Sequence, residues 1–220
     1  EGAGYDTLYG GDGNDYLYDD AAGAELHGDD GNDQLELRNA TGLADGGDDQ
    51  DQILIYEAAN STAQGGAGDD TITGEFSPAL TVDGGEGNDR IIGIYGLYGL
   101  TEAWTVSGGL GNDTIALSGA NHLIDSGEGD DLIDLESSGP GTATITTGTG
   151  TDVIRLSMVA LEAGLSAPVI QDFTGGAGGD RLDLNHVLGR LAKLGYDYSN
   201  PFTSGWLRLQ AAGADTQLQV

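Results

Sequence analysis

Apolar and polar residues alternate along this chain in short bursts. Gln34-Leu35-Glu36-Leu37, Thr114-Ile115-Ala116-Leu117 and Leu132-Ile133-Asp134-Leu135 each put aliphatic side chains on one side of an extended segment. Each burst follows the same nine-residue unit, Gly-Gly-x-Gly-x-Asp-x-apolar-x, clearest in Gly84-Gly85-Glu86-Gly87-Asn88-Asp89-Arg90-Ile91-Ile92. Copies begin at Glu1, Gly10, Gly28, Gly46, Gly65, Gly84, Gly108, Ser126, Thr147 and Gly175, and in every one the sixth place is Asp and the eighth Leu or Ile. A second burst lies upstream of each turn, where Leu26, Ala44, Ala63, Val82, Val106, Ile124 and Ile145 precede the motif by two places.

Successive motifs start 9, 18, 18, 19, 19, 24, 18, 21 and 28 residues apart. The dominant step is twice the motif length. This predicts a right-handed parallel β-roll, a β-solenoid whose coils of about 18 residues each hold two short strands and two turns. Stacked coils would form two parallel sheets with strands about 4.7–4.9 Å apart. Extra residues enter only the half between an aliphatic strand and the next motif, the longest insert running from Gly93 to Val106, while the motif turn keeps its length. A row of ligands requires that constancy more than a structural turn does.

Past Asp152 the repeat weakens. Residues 1–156 are assigned to the roll and 157–220 to a C-terminal capping region with one further motif at Gly175. Met158 to Pro168 reads as a short helix or loop and Val169–Phe173 as a strand. A helix over Val187–Leu194 would be capped by Asn185, and Trp206–Gln210 with Thr216–Val220 would form a hairpin. A solenoid exposes its last rung unless something covers it, which is the role expected of the helix and hairpin.

Composition sharpens the chemistry. The net charge is −30, and 31 of the 37 acids but only Arg38 and Arg90 of the bases lie in residues 1–152. Such a chain repels nucleic acid and anionic membrane surfaces, so neither is expected as a partner, and direct membrane insertion is not expected. There is no cysteine, hence no disulfide and no thiolate metal site. Without a cation, repulsion among the carboxylates would oppose any compact state.

Glycine at places one, two and four permits left-handed backbone that turns carbonyl oxygens inward, and the place-six Asp adds a carboxylate. Carbonyl and carboxylate oxygens are hard ligands suited to Ca²⁺, and a flexible turn suits it better than the small octahedron of Mg²⁺. Each turn would hold half a shell, completed by the turn one coil along. The eight motifs from Gly10 to Thr147 share one row and so offer about seven inter-turn sites. The expected ligands are Asp15, Asp33, Asp51, Asp70, Asp89, Asp113, Asp131 and Asp152, with backbone from Gly10, Gly28, Gly46, Gly65, Gly84 and Gly108. Secondary candidates are Asp12, Asp30 and Asp48 at place three and Asn14, Asn32, Asp69, Asn88, Asn112 and Asp130 at place five. The Thr147 copy has lost its acidic extras, so the weakest site of the row is expected there. With sites near 100 μM and about 1 mM free Ca²⁺, linkage gives roughly 1.4 kcal/mol per site, about 10 kcal/mol over the row. That matches the whole stability of an ordinary domain. An unfolded calcium-free chain and a folded calcium-loaded one follow.

These nonapeptides, such as Gly10-Gly11-Asp12-Gly13-Asn14-Asp15-Tyr16-Leu17-Tyr18, resemble the RTX (haemolysin-type) calcium-binding repeat. The segments Ile170–Phe173, Asp180–Leu184, Asn200-Pro201-Phe202, Gly205–Leu209 and Gly213–Thr216 are similar to the C-terminal region of type I secreted RTX proteins, long bacterial adhesins above all. The resemblance implies a calcium-loaded β-roll and a Gram-negative source. It further implies export by the type I secretion apparatus without an N-terminal signal peptide, and a secreted or cell-surface location. It also implies that Asp172 joins a ligand set with Asp180 or Asp183, and that the chain is a non-catalytic piece of a larger protein. A monomer is expected. Two further readings are a polysaccharide-binding accessory module and the non-catalytic tail of a secreted hydrolase; the insert with Tyr95, Tyr98 and Trp104 reads foremost as packing on the solenoid edge, with a sugar-stacking patch as the alternative. His27, His122 and His186 have no metal-like spacing and read as ordinary surface or strand positions. No nucleophile–base set, dinucleotide fingerprint or EF-hand loop is present, so no enzymatic activity is expected.

Overall fold

The computed structural model describes residues 5–94, 103–119, 121–136, 142–156, 168–193, 195–197, 199–200, 208–212 and 215–219. It is a parallel β-solenoid built from two nine-stranded sheets. One sheet stacks, in order, β1 (Thr7–Asp12), β3 (Ala24–Asp30), β5 (Gly42–Asp48), β7 (Thr62–Ala67), β9 (Thr81–Glu86), β11 (Thr105–Leu110), β13 (Leu123–Glu128), β15 (Thr144–Thr146) and β17 (Val169–Ile170). The other stacks β2 (Tyr16–Asp19), β4 (Gln34–Arg38), β6 (Gln52–Tyr56), β8 (Thr71–Glu75), β10 (Arg90–Ile94), β12 (Thr114–Ser118), β14 (Leu132–Glu136), β16 (Val153–Leu156) and β18 (Arg181–Asp183). Every motif turn from Gly10 to Thr147 leads from the first sheet into the second.

Register follows the motif. Leu8 pairs with Leu26, Ala63 with Val82 and Val106 with Ile124 in the first sheet; Leu35 pairs with Ile53, Ile91 with Ile115 and Ile133 with Ile154 in the second. These aliphatic ladders are buried from Leu17 to Leu156 and make one continuous core between the sheets. Each fully buried Leu or Ile contributes about 1.5–3 kcal/mol, so the ladders carry the stack. A slip by one residue would turn every ladder outward. The insert after β10 leaves the register intact, since Val82 still pairs with Val106 and Gly85 with Gly109.

Two features depart from the sequence expectation. The sheets continue beyond residue 156: β17 pairs with β15 and β18 with β16, placing Ile170, Leu182 and Leu184 half-buried against the core. Trp104 is no surface residue. Only 1% exposed, it lies inside the roll against Gly74 and Gly93, where a Cβ would approach the indole to 2.3 and 3.2 Å. Most other coils carry Leu or Ile at this inward position, and the indole fills the gap left by two successive glycines. Its Nε1 donates to the Ser77 carbonyl at 2.9 Å. A sugar-stacking role for Trp104 is thereby corrected; Tyr95 and Tyr98 lie outside the described residues.

Three of the turns opposite the motif row use buried side-chain acceptors. Ser61 Oγ accepts from Gly42 N–H, Ser77 Oγ from Ala58 N–H, and His122 Nδ1 from Trp104 N–H. His122 is therefore interior, and burial pushes its imidazole pKa down to about 4. Helix α1 (Asn185–Lys193) follows β18, and its first N–H is taken by the Asp183 carboxylate at 2.9 Å. Val187 on this helix is buried. Strands β19 (Arg208–Ala212) and β20 (Asp215–Gln219) form the expected antiparallel hairpin. The segment from Ser157 to Ala167 and Leu194 lie outside the described residues.

Replacing Trp104 with Ala should leave a cavity spanning two coils and cost about 3–5 kcal/mol. Denaturant unfolding of the calcium-loaded protein measures this, and a loss below about 1 kcal/mol would place the indole outside the core.

Candidate metal-binding row

The motif turn arises from an exception to the core pattern. Along β3 the inward positions are Ala24, Leu26 and Gly28, so place one faces the interior where alternation calls for an aliphatic residue. At the glycine copies of the motif a side chain would not fit there. At Gly84 a Cβ would lie 2.3 Å from the Gly108 carbonyl oxygen and 2.4 Å from Asp89 Oδ2, and Gly28, Gly46, Gly65 and Gly108 show the same pair of clashes. Gly10 at the first turn is looser, its Cβ 2.6 Å from Gly28 O and 3.0 Å from Asp15 Oδ2. The place-six carboxylate folds back into the space the glycine leaves. Place one therefore does not need left-handed backbone, contrary to expectation; places two and four do, as at Gly85 (φ 110°) and Gly87 (φ 127°). Asp29 and Asp49 adopt it at φ 70° and 77° where they replace glycine.

Asp33, Asp51, Asp70, Asp89, Asp113, Asp131 and Asp152 are at most 2% exposed. Each uses Oδ1 to accept the backbone N–H of the place-six Asp one coil earlier, from Asp15 N to Asp33 at 2.7 Å through to Asp131 N to Asp152 at 2.9 Å. Oδ2 of these same seven residues is buried and has no hydrogen-bond partner. Burial raises their carboxyl pKa values: Asp51, Asp89 and Asp152 to about 6, Asp70 and Asp113 to about 7, with Asp33 and Asp131 also raised. The backbone hydrogen bond to Oδ1 offsets only part of that.

The other predicted residues sit differently. Place-five side chains form a second, exposed ladder of opposite direction: Asn32 N–H donates to Asn14, Gln50 to Asn32, Asn88 to Asp69, Asn112 to Asn88, Asp130 to Asn112 and Thr151 to Asp130. The place-three acids Asp12, Asp30 and Asp48 are exposed. Asp30 and Asp48 use their backbone carbonyls to receive Gly13 N–H and Gly31 N–H. Asp172 accepts from Thr147 N–H, Thr147 Oγ and Gly148 N–H; Asp180 accepts from Asp152 N–H and Thr174 N–H. Both oxygens of each are thus held by protein donors. Asp183 receives Asn185 N–H and Arg155 Nε instead of converging on Asp172. Neither ladder was legible beforehand, because their partners lie a whole coil apart in sequence.

The donor set suits a hard cation. Seven orphaned, buried carboxylate oxygens, each of the first five beside a place-one carbonyl and a bare glycine Cα, lack positive charge. Among the described residues no three His, Cys, Asp or Glu side chains converge, so carbonyl oxygens must complete any shell. That is calcium chemistry, with neither nitrogen nor sulfur. A family model for the RTX calcium-binding nonapeptide repeat matches residues 2–18, 57–76, 81–93 and 105–133. These segments are similar to RTX repeats. RTX repeats are calcium-binding structural modules of secreted proteins, and their β-roll is typically not catalytic. No curated protein and no solved structure matches the chain. Among the described residues no helix is long and apolar enough to cross a membrane.

The raised pKa values set a sign for the calcium-free protein. Carboxyls that bind protons more tightly when folded than at their ordinary pKa of 3.8 favour folding at low pH. That contribution is fully present below about pH 4 and is lost as pH rises through about 6–7. In EGTA, β-structure monitored by circular dichroism should therefore increase as pH falls from 8 to 5; a decrease would show that the buried carboxyls are not raised.

Proposed function

We propose that this chain is a calcium-dependent folding module whose glycine-lined main-row junctions are held by Ca²⁺ ions. Asp15, Asp33, Asp51, Asp70, Asp89, Asp113, Asp131 and Asp152 supply carboxylate oxygens, and the place-one residues supply backbone carbonyls. The observation that carries this reading is the row of orphaned Oδ2 atoms in a chain of net charge −30. A bound cation neutralises the row and bridges adjacent coils. The side chains' task is to present oxygen in fixed register: Oδ1 is pinned by the preceding coil's N–H, which leaves Oδ2 aimed inward.

The biological setting follows from the energetics. Submicromolar cytosolic calcium cannot fill sites of about 100 μM affinity, whereas about 1 mM outside the cell can. Folding on arrival outside would suit export by a type I apparatus as an unfolded chain, with the module serving a larger secreted or surface protein such as an adhesin. The sequence similarity of residues 170–216 to the ends of such proteins supports this reading. Burial of Trp104 removes the main aromatic of a sugar-binding patch, so no polysaccharide role is proposed.

Circular dichroism at neutral pH tests the reading. The β signal should appear cooperatively as calcium is raised toward millimolar and vanish in EGTA, whereas an unchanged spectrum would contradict it. Asp89→Asn keeps the acceptor for Asp70 N–H but removes the charge. It should lower stability at 1 mM Ca²⁺ by about 1–3 kcal/mol, the value of one or two sites, while Asp83→Asn on the exposed outer face should change it by less than about 0.5 kcal/mol.

A further inference from the structure

Place one is glycine in six successive main-row coils, from Gly10 to Gly108, and then changes to Ser126 and Thr147. Both side chains are fully buried. At a glycine coil two oxygens face the same bare Cα with no proton between them. At Gly65 these are Gly84 O and Asp70 Oδ2, 2.3 and 2.4 Å from where a Cβ would stand. At Ser126 a hydroxyl occupies that space. Its Oγ donates to the Thr147 carbonyl, the next coil's place-one oxygen, at 2.8 Å. The same hydroxyl also stands against the Asp131 carboxylate, where its hydrogen bonding works against the rise in pKa caused by burial. One coil further on, Thr147 N–H, Thr147 Oγ and Gly148 N–H all donate to the Asp172 carboxylate, at 2.8, 3.1 and 2.9 Å.

We infer that the row contains two kinds of junction, chosen by the residue at place one. Where place one is glycine, the converging oxygens are held by a cation. Where it is a hydroxyl residue, a direct coil-to-coil hydrogen bond takes the carbonyl out of the cage and holds the register without the ion. The junction between the Ser126 and Thr147 coils is then the one in the main row that binds no calcium, and the Thr147–Asp172 contact continues the same construction into the last rung. Ser126 decides metal occupancy without being a ligand. This inference rests on the proposed calcium row.

Counting ions tests it. Native mass spectrometry of the folded, calcium-loaded chain should show one more bound Ca²⁺ for Ser126→Gly than for the natural sequence, and one fewer for Gly84→Ser. Calcium titration followed by circular dichroism supplies the second readout. Ser126→Gly should reduce the β signal remaining at the lowest calcium concentrations, because it trades a hydrogen bond for an ion-dependent contact. An unchanged ion count in Ser126→Gly overturns the inference while leaving the row intact. If Gly84→Ser fails to fold, the Ser126→Gly count decides alone. A natural chain that binds no calcium would instead overturn the calcium row itself.

Discussion

A carboxylate turned into the core once per coil is the constraint on which the rest of this structure depends. Burying one ionised carboxylate without a partner is costly, and a row of them adds mutual repulsion. The turn meets part of that cost locally, since Oδ1 of each main-row Asp from Asp33 to Asp152 receives the N–H of the Asp one coil before. The other oxygen is left bare. Glycine at place one makes room for it, left-handed backbone at places two and four bends the chain around it, and the invariant turn length keeps it in line with its neighbours. The aliphatic ladders supply the adhesive between sheets, while the carboxylate row sets the condition under which they can assemble.

That division explains why the two edges of the roll differ. On the motif edge the turn length is fixed and the place-six Asp recurs in every coil. On the opposite edge the chain needs only to reverse and satisfy its amides. Ser61, Ser77 and His122 do this with single buried acceptors, and Asn39, Asn60 and Asn121 take up positive φ. Such turns tolerate insertion. Trp104, brought in by the longest insert, fills the interior over Gly74 and Gly93, so a variable edge still contributes to the core.

Much of this was legible from the chain alone. The period of eighteen and the place-eight and minus-two aliphatic residues gave the solenoid, its two sheets and its register, because alternation has a direct meaning in a strand. The place-six aspartates were recognisable as a row. Three features were not, each for the same reason: a parallel stack joins residues one coil apart that share no local pattern. The place-five ladder from Asn14 to Thr151, the indole lying across two glycines, and Asp172 capping Thr147 and Gly148 all depend on such contacts. Ile170 and Leu182 extended the sheets past the point where the motif fades, since burial against Ile145 and Ile154 needs an aliphatic residue in register, not a complete turn.

The most direct test of the account is the anomalous difference density of crystals grown in calcium and collected at long wavelength. A single line of peaks is predicted along the motif edge, spaced by one coil and each beside the Oδ2 of a place-six aspartate from Asp15 to Asp113. Density confined to the exposed carboxylates of Asp12, Asp30 and Asp48, or an interior row with no peaks at all, would contradict it.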